Sequence, residues 1–250
     1  MLNNNNFIIP NWRAPPNIKV LQTTRTGGVS LAPYDSFNLG THVKDNAMHV
    51  TQNRQMLSQF LPSEPVWLNQ VHGVNVVDAA IASCEPEADA SFTAQKNVVC
   101  VTMTADCLPV LLCDQAGTRV AAVHSGWRSL CDGVIESTLL QLQTNQMVLN
   151  PADYMAWLGP AIGPNAFEVG AEVRAQFMQK DAQAENAFKP HGDKYLGDLY
   201  QIAKQRLNRL GITKIYGGGM CTYTDEARFF SYRRDGDTGR MATLIWIDKK

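Results

Sequence analysis

The fold is decided within residues 98–124, which read VVCVTMTADCLPVLLCDQAGTRVAAVH. Three short apolar runs, at 98–103, 110–113 and 119–124, follow one another with only a few other residues between them. Runs of this length, rich in Val and bounded by Pro, Gly or Asp, are typical of β-strands. Because no helical pattern separates them, the stretch argues against a regular alternation of strand and helix.

Further strands and helices are predicted on both sides of this stretch. Strands are predicted at 66–77, 154–158, 212–216, 229–233 and 241–247, the last two joined by a hairpin connection at 234–240. Apolar residues recur at helical spacing at 46–60, 130–142, 171–180 and 198–210. Since strands outnumber helices and do not alternate with them, we predict an α+β fold with mixed β-sheets flanked by helices. No linker-like segment divides the chain, so residues 1–250 are predicted to form one domain.

Composition excludes several classes of protein. The 250 residues include 22 basic and 23 acidic ones, for a net charge of −1, which argues against a nucleic-acid-binding protein. Charged residues make up 18% and hydrophobic residues 45%, which excludes a mostly disordered chain. No apolar run approaches the roughly 18 residues that span a bilayer. No secretory signal is visible at the N-terminus, so a cytoplasmic location is expected.

The six cysteines show no C-x-x-C spacing, which disfavours zinc-ribbon and thioredoxin-like sites. In the expected cytoplasmic setting we predict reduced thiols. Most of them should be small, buried apolar residues.

Three side chains that can bind a metal follow predicted strands: His72, Cys107 and His124. Two His and one Cys can form a zinc site whose fourth position is open to water or substrate. Cys107 and His124 are 17 positions apart, so a strand, a turn at 114–118 and a return strand could bring them together. Pro109 cannot donate to a β-ladder, so Cys107 is expected at a bulge or strand end.

Spacing alone leaves other interpretations open. A lone His or Cys is more often a surface or core residue than a ligand. Cys107 and His124 could instead be the nucleophile and base of a metal-free hydrolase. The segment from Ser129 to Asp132 fits a capping pattern, so a helix N-terminus that favours anions is predicted there.

Several motifs together resemble the YfiH-like laccase-domain family, whose bacterial members have been labelled polyphenol oxidases or purine nucleoside phosphorylases. The similarity extends from the segment at 24–30 to the segment at 230–235, and so covers nearly the whole chain. The motifs that carry it are Gln70-Val71-His72-Gly73, Thr104-Ala105-Asp106-Cys107-Leu108-Pro109-Val110, His124-Ser125-Gly126-Trp127-Arg128 and Leu158-Gly159-Pro160-Ala161-Ile162-Gly163.

The resemblance implies an α+β domain with a zinc site formed by His72, Cys107 and His124. It also implies phosphorolysis of adenosine, inosine and methylthioadenosine, and hydrolytic deamination of adenosine, with purine nucleosides and phosphate as the small-molecule partners. Asp106 is a candidate proton donor to the leaving amine, or alternatively an anchor for the ligand loop. A guanidinium group matches phosphate bidentately. The candidates for this role are Arg25, Arg128, Arg233, Arg234 and Arg240. We favour Arg25 and Arg128. Asn38 could contact base or ribose, or could cap a turn.

Three alternatives remain. A His₂Cys set near Met103 could bind copper, but five His in total cannot also furnish a trinuclear copper cluster, so laccase activity is expected only as a side activity with added Cu²⁺. A Cys- or metal-dependent amidase acting on cell-wall precursors needs the same nucleophile and anion pocket. A non-enzymatic binding module would have neither metal nor turnover.

Overall fold

The computed structural model describes residue 2 and residues 6–143 and 150–249. Within these ranges the strands are β1 Phe7–Ile8, β2 Ile18–Thr23, β3 Val76–Asp78, β4 Ala90–Thr93, β5 Val99–Thr104, β6 Leu108–Asp114, β7 Val120–Ser125, β8 Tyr154–Leu158, β9 Glu168–Val169, β10 Phe188–His191, β11 Lys194–Gly197, β12 Lys214–Gly217 and β13 Met241–Ile247. The α-helices are α1 Ala47–Ser58, α2 Trp127–Asp132, α3 Val134–Gln143, α4 Ala171–Lys180, α5 Leu199–Arg209 and α6 Tyr232–Asp235.

Two main sheets form the centre of the molecule. A six-stranded sheet has the order β12-β8-β6-β7-β4-β3 and is mixed, with parallel pairs only at its two edges. A four-stranded sheet has the order β1-β2-β13-β5 and is antiparallel. A small sheet, β10-β11-β9, lies apart from both. The predicted α+β fold with mixed sheets is therefore confirmed.

Side-chain alternation along the strands explains how the layers stack. In β6, Leu111 and Cys113 pack with residues of β2, β5 and β13 between the two sheets. Leu108, Val110 and Leu112 point the other way and pack against helices α2, α3 and α5. Successive strand residues face opposite sides, so a strand buried on both sides reads as a continuous apolar run. The outer face of the four-stranded sheet packs with Leu57 of α1.

Most predicted elements are confirmed, but the segment 229–240 is not a hairpin. Both edges of β13 are already paired, with β2 and β5, so no position is left for a partner strand at 229–233. Phe229 and Phe230 are fully buried as loop anchors. Ser231 then caps the short helix α6 by accepting the Arg234 N–H at 3.3 Å.

Two further predictions need correction. The helix predicted at 130–142 is broken at Gly133, which has a left-handed φ of 101° and ends α2. Helix α2 begins at Trp127, so Ser129 lies inside it and is not its N-cap. The Ser129 hydroxyl donates to the carbonyls of His124 and Gly126. The strand predicted at 66–77 is a strand only from Val76, apart from single bridges made by Val66 and Asn69. In the described part of the chain, no helix is long and apolar enough to cross a membrane.

Candidate functional site

The β6–β7 hairpin brings Cys107 and His124 together. Pro109 lies opposite His124 in the antiparallel register. Cys107 immediately precedes β6, and His124 is next to last in β7, so both lie at the same end of the sheet. The predicted strand-end position of Cys107 is confirmed. The carbonyl of Pro109 still accepts a hydrogen bond, from the Gly159 N–H at 2.9 Å, although proline has no N–H to donate.

His72 reaches the same place on a loop that is folded around one carboxylate. Asp89, fully buried, accepts the backbone N–H groups of Val71 at 3.3 Å, His72 at 2.9 Å and Gly73 at 2.6 Å. His72 adopts a left-handed φ of 61°, a conformation that costs free energy in a residue other than glycine. The three hydrogen bonds to Asp89 hold the loop in this conformation, which explains why 66–77 is not a continuous strand.

Asp89 also orients His124. The Asp89 Oδ1 atom lies 2.7 Å from His124 Nδ1, and the two residues are 35 positions apart. This pairing leaves Nε2 as the imidazole nitrogen available to a metal. A carboxylate behind a ligating His is the usual device that fixes its tautomer and ring orientation. Sequence analysis missed Asp89; the only signal was an acidic residue directly before an apolar strand.

The three side chains lie close enough together to bind one metal ion. Their ligand atoms all lie within 4.8 Å of one another. Cys107 Sγ is 3.7 Å from His72 Nε2, against about 3.6 Å expected for a sulfur at about 2.3 Å and a nitrogen at about 2.05 Å from a tetrahedral zinc. The rings of His72 and His124 meet edge to face, with centroids 4.8 Å apart. The donor set therefore fits zinc.

Gly126 makes room for this cluster. A Cβ at this position would lie 2.6 Å from His72 Cδ2 and 3.1 Å from Cys107 Sγ. Its φ of −61° is open to any residue, so the requirement for glycine is one of space and not of backbone conformation. Sequence analysis did not identify this role either.

The electrostatics of the cluster favour a thiolate. Burial opposes ionisation of Cys107, but the adjacent imidazoles of His124 and His72 outweigh it and lower the pKa of the thiol. Burial likewise opposes charge on His124, but Cys107 and Asp89 together raise its pKa. For Asp89, burial is outweighed by the hydrogen bonds from His124 and the loop N–H groups, so its pKa is lowered. A metal would replace the His124 proton at Nε2, so metal affinity should rise with pH through neutrality.

The cluster forms part of the wall of a cavity of about 570 Å³, a size typical of small-molecule sites. Trp127, Phe167 and Tyr232 are its aromatic lining residues, and its basic side chains are His42, Arg128, Arg233 and Arg240. His42 is exposed at the rim. Desolvation against the wall, and then the guanidinium groups of Arg240 and Arg54, lower the pKa of His42 to about 4, so it is neutral at pH 7.

The structure does not bring Arg25 or Asn38 into this cavity. Arg25 donates from Nε to the Asp35 carbonyl at 3.0 Å and from Nη1 to the Glu226 carbonyl at 3.3 Å, and its Nη2 pairs with the Asp35 carboxylate at 3.5 Å. All three nitrogens are therefore occupied. Asn38 is fully buried and holds a turn, where its Oδ1 accepts the backbone N–H groups of Gly40 and Arg240, both at 2.9 Å. Arg25 is a loop anchor and Asn38 a turn cap.

Asp106 lies in the cavity wall as an anchor. Its Oδ1 accepts the Thr222 hydroxyl at 2.6 Å and its Oδ2 accepts the backbone N–H of Arg233 at 2.7 Å. These two hydrogen bonds tie the loop before Cys107 to the segment that carries Arg233. The arrangement favours the anchoring role over proton donation, because both oxygens act as acceptors.

Replacing Asp89 by asparagine is expected to lower zinc affinity by about 10- to 100-fold, the usual effect of losing the partner behind a ligating His. The amide has only one acceptor oxygen for four donors, so the 71–73 loop should also loosen. Zinc titration against a competing chelator measures the affinity. Asp114→Asn is the matched control. Asp114 is also buried and accepts the backbone N–H groups of Thr118 and Arg119 in a turn, but it lies outside the cavity. Equal zinc affinity in Asp89→Asn and wild type would contradict this role.

Residues 19–248 match the sequence profile of a family described as multi-copper polyphenol oxidoreductase laccase. A protein of Escherichia coli named purine nucleoside phosphorylase YfiH is 54% identical over 244 residues, which cover 96% of this chain and 98% of that protein. A Haemophilus influenzae protein named purine nucleoside phosphorylase is 52% identical over 246 residues, covering 96% of this chain and 99% of that protein.

Solved structures show the same fold. The crystal structure of Neisseria meningitidis protein NMB0706 superposes with a TM-score of 0.91 at 49% identity, covering 97% of this chain and 99% of that one. The crystal structure of YlmD from Geobacillus stearothermophilus superposes with a TM-score of 0.87 at 26% identity, covering 100% of this chain and 98% of that one.

Proposed function

The chain belongs to the family described as multi-copper polyphenol oxidoreductase laccase, and from that premise we propose that it is a zinc-dependent purine nucleoside phosphorylase. Adenosine, inosine and methylthioadenosine are its proposed substrates, deamination of adenosine is its second proposed reaction, and residues 1–250 are its proposed catalytic domain. One observation carries the proposal: the His72–Cys107–His124 cluster shares a cavity with arginines that no carboxylate neutralises among the described residues. Relatives of this chain bear the name of that activity.

Phosphorolysis needs an anion site next to an apolar site. A phosphate oxygen forms a bond to the ribose carbon, the bond from that carbon to the purine nitrogen breaks, and its electron pair leaves with the base. The aromatic walls of the cavity suit a purine ring, since offset stacking and apolar burial both favour it. The arginines balance the charge of phosphate and hold it in a fixed orientation. Arg128 is exposed at the rim, over the Trp127 ring at 4.4 Å.

The three ligand side chains would hold zinc at the cavity wall. When bound, zinc supplies Lewis-acid polarisation and lowers the pKa of a water toward about 7, which is the chemistry that deamination of adenosine needs. Asp89 keeps the His124 ring in place, and Asp106 keeps the loop of Cys107 in place. The chain's own contribution is thus a rigid ligand frame in the wall of the cavity.

Product analysis tests the proposal. Zinc-loaded protein is incubated with adenosine, inosine or methylthioadenosine, with and without inorganic phosphate. We expect free base from all three nucleosides only when phosphate is present. The sugar product should be ribose 1-phosphate from adenosine and inosine, and its methylthio analogue from methylthioadenosine. Inosine and ammonia should form from adenosine in either case. If zinc-loaded protein releases neither free base nor inosine, the proposal is wrong.

Arg128→Ala is expected to slow base release from inosine far more than ammonia release from adenosine. A charged hydrogen bond contributes about 1.5–3 kcal/mol, so the phosphate-dependent rate at subsaturating phosphate should fall by roughly 10- to 150-fold. Deamination does not use phosphate and should change little. Parallel initial rates on the two substrates check this, and an equal fall in both would contradict a phosphate-specific role for Arg128.

A metal-free cysteine hydrolase is the second candidate, because one observation favours it. Cys107 would be the nucleophile, the neighbouring His124 its base, and Asp89 the carboxylate that orients His124, and the pKa of the Cys107 thiol is lowered. Such a triad would attack an amide, as in the proposed hydrolysis of cell-wall precursors. Activity that survives complete removal of zinc would favour this candidate.

The arrangement does not support multi-copper oxidase chemistry as the main activity. All five histidines lie in described parts of the chain. His72 and His124 belong to the cluster, and His42 is the one further histidine among the described residues that line the cavity. His49 lies beside Asp45, and the exposed His191 lies beside Glu168. A trinuclear copper cluster therefore lacks ligands. Oxidation of phenols with one added Cu²⁺ at the His72–Cys107–His124 cluster is proposed only as a side activity.

A further inference from the structure

We propose that Arg240 is the main phosphate-binding residue of this cavity, and that it binds through the edge formed by its Nε and Nη2 atoms. The inference rests on the proposed function, because it names the side chain that takes up the second substrate. The sequence favours Arg25 and Arg128 for this role, and the inference gives it instead to an arginine 215 positions beyond Arg25.

The Arg240 guanidinium keeps donors available for a ligand. Within the Arg240 guanidinium, Nη1 donates to the carbonyls of Thr238 at 2.8 Å and Gly239 at 3.0 Å. Its Nε and Nη2 atoms donate to no acceptor among the residues that the structure describes. These two atoms form one straight edge of the guanidinium, which matches two oxygens of a phosphate. By contrast, Arg234 uses Nε, Nη1 and Nη2 for bonds to Asp235 and to backbone carbonyls.

Arg240 is held rigidly. The backbone N–H of Arg240 donates to the fully buried Asn38 at 2.9 Å, and its carbonyl accepts the N–H of Leu39 at 3.1 Å. The Arg240 side chain lies against Gly40, where an added Cβ would come within 2.8 Å of Arg240 Cγ. Arg240 is thus held at its backbone, along its aliphatic stem and at Nη1. A guanidinium fixed before binding loses less conformational freedom when it binds phosphate.

Arg240 also lies in the right place. Arg240 lines the same cavity as the His72–Cys107–His124 cluster and lies within electrostatic range of Cys107 and Asp106. Both oxygens of Asp106 already accept other donors, so Asp106 is not a partner of the Arg240 guanidinium. Arg233 also lines the cavity and donates from Nη1 to the Glu168 carbonyl at 2.9 Å. Arg128 is exposed, and the contact given for its guanidinium among the described residues is with the Trp127 ring. We therefore assign Arg128 one charged hydrogen bond to phosphate, and Arg240 the fixed orientation of phosphate.

The test is direct phosphate binding combined with kinetics. Zinc-loaded wild type, Arg240→Gln, Arg240→Lys and Arg228→Gln are titrated calorimetrically with inorganic phosphate. Arg228 is a matched control because it pairs with Asp225 outside the cavity. We expect the phosphate Kd to rise at least tenfold in Arg240→Gln, less in Arg240→Lys, which keeps the charge without the fork, and not at all in Arg228→Gln. Zinc content and thermal unfolding verify that each variant is folded.

Kinetics separate this inference from the proposed function. If phosphorolysis is present, the KM for phosphate should rise at least tenfold in Arg240→Gln, while the KM for inosine changes less than threefold. Phosphorolysis with an unchanged KM for phosphate in this variant overturns the role of Arg240 and leaves the proposed function standing. If wild type binds phosphate through Arg240 but catalyses no phosphorolysis, the binding role of Arg240 is supported and the proposed function is refuted. Wild type that does not bind phosphate overturns the assignment.

Discussion

Simultaneous replacement of Cys107 and His124 by alanine is expected to remove zinc from the protein and to lower nucleoside turnover by at least about 1,000-fold. Two of three protein ligands are lost, and a single His cannot retain the ion. Lewis-acid stabilisation by a metal amounts to several kcal/mol, and each 1.36 kcal/mol changes the rate tenfold. Elemental analysis of wild type should find about one zinc per chain, and the double variant should contain almost none.

The matched control replaces the same two residue types outside the cavity. Cys84 is an exposed free cysteine and His191 an exposed histidine at the end of β10. Cys84→Ala combined with His191→Ala should keep both zinc and activity. If the Cys107/His124 double variant retained about one zinc per chain, the metal would have to lie elsewhere. If it lost zinc but kept its phosphorolysis rate, the metal would have no part in that reaction.

Gly126→Ala is expected to abolish tight zinc binding while leaving the protein folded. The added methyl would lie 2.6 Å from His72 Cδ2 and 3.2 Å from His72 Nε2, so the imidazole must move away from the cluster. Losing a direct ligand should cost more than losing a supporting hydrogen bond, so affinity should fall by more than about 100-fold. Both phosphorolysis and deamination should fall with zinc content. Gly126 has a φ of −61°, so alanine introduces no backbone strain.

Gly219→Ala provides the control for this substitution. A Cβ at Gly219 meets no atom within 4 Å, and its φ is not in the left-handed region. The control should match wild type in zinc affinity and in thermal unfolding. Since alanine is a poorer residue than glycine at a helix N-cap, Gly126→Ala should destabilise the protein by about 1 kcal/mol or less. Zinc affinity within threefold of wild type would contradict the requirement for glycine at position 126.

The elements that were predicted correctly are those whose signal is local. Strand β8 and helix α4 each show their pattern within a few consecutive residues, and both were predicted with the observed bounds. The segment 229–233 misled the prediction because an apolar run that anchors a loop has the same composition as a strand. Only the pairing of β13 with two other strands shows that no third partner fits.

The candidate site also combines features that local sequence predicts with features that depend on tertiary contacts. By itself, the sequence determined the α+β fold and pointed to His72, Cys107 and His124, because residue type decides what can bind a metal and motif order carries the family resemblance. The tertiary structure alone decided that Asp89 stands behind His124 and that Gly126 leaves space for the cluster. It also decided which arginines keep free donors: Arg25 is occupied by a carbonyl 201 positions away, whereas Arg240 is held by Asn38, 202 positions away. The physical reason is that occupancy of a hydrogen-bonding group depends on what the fold brings beside it, and no local pattern records that.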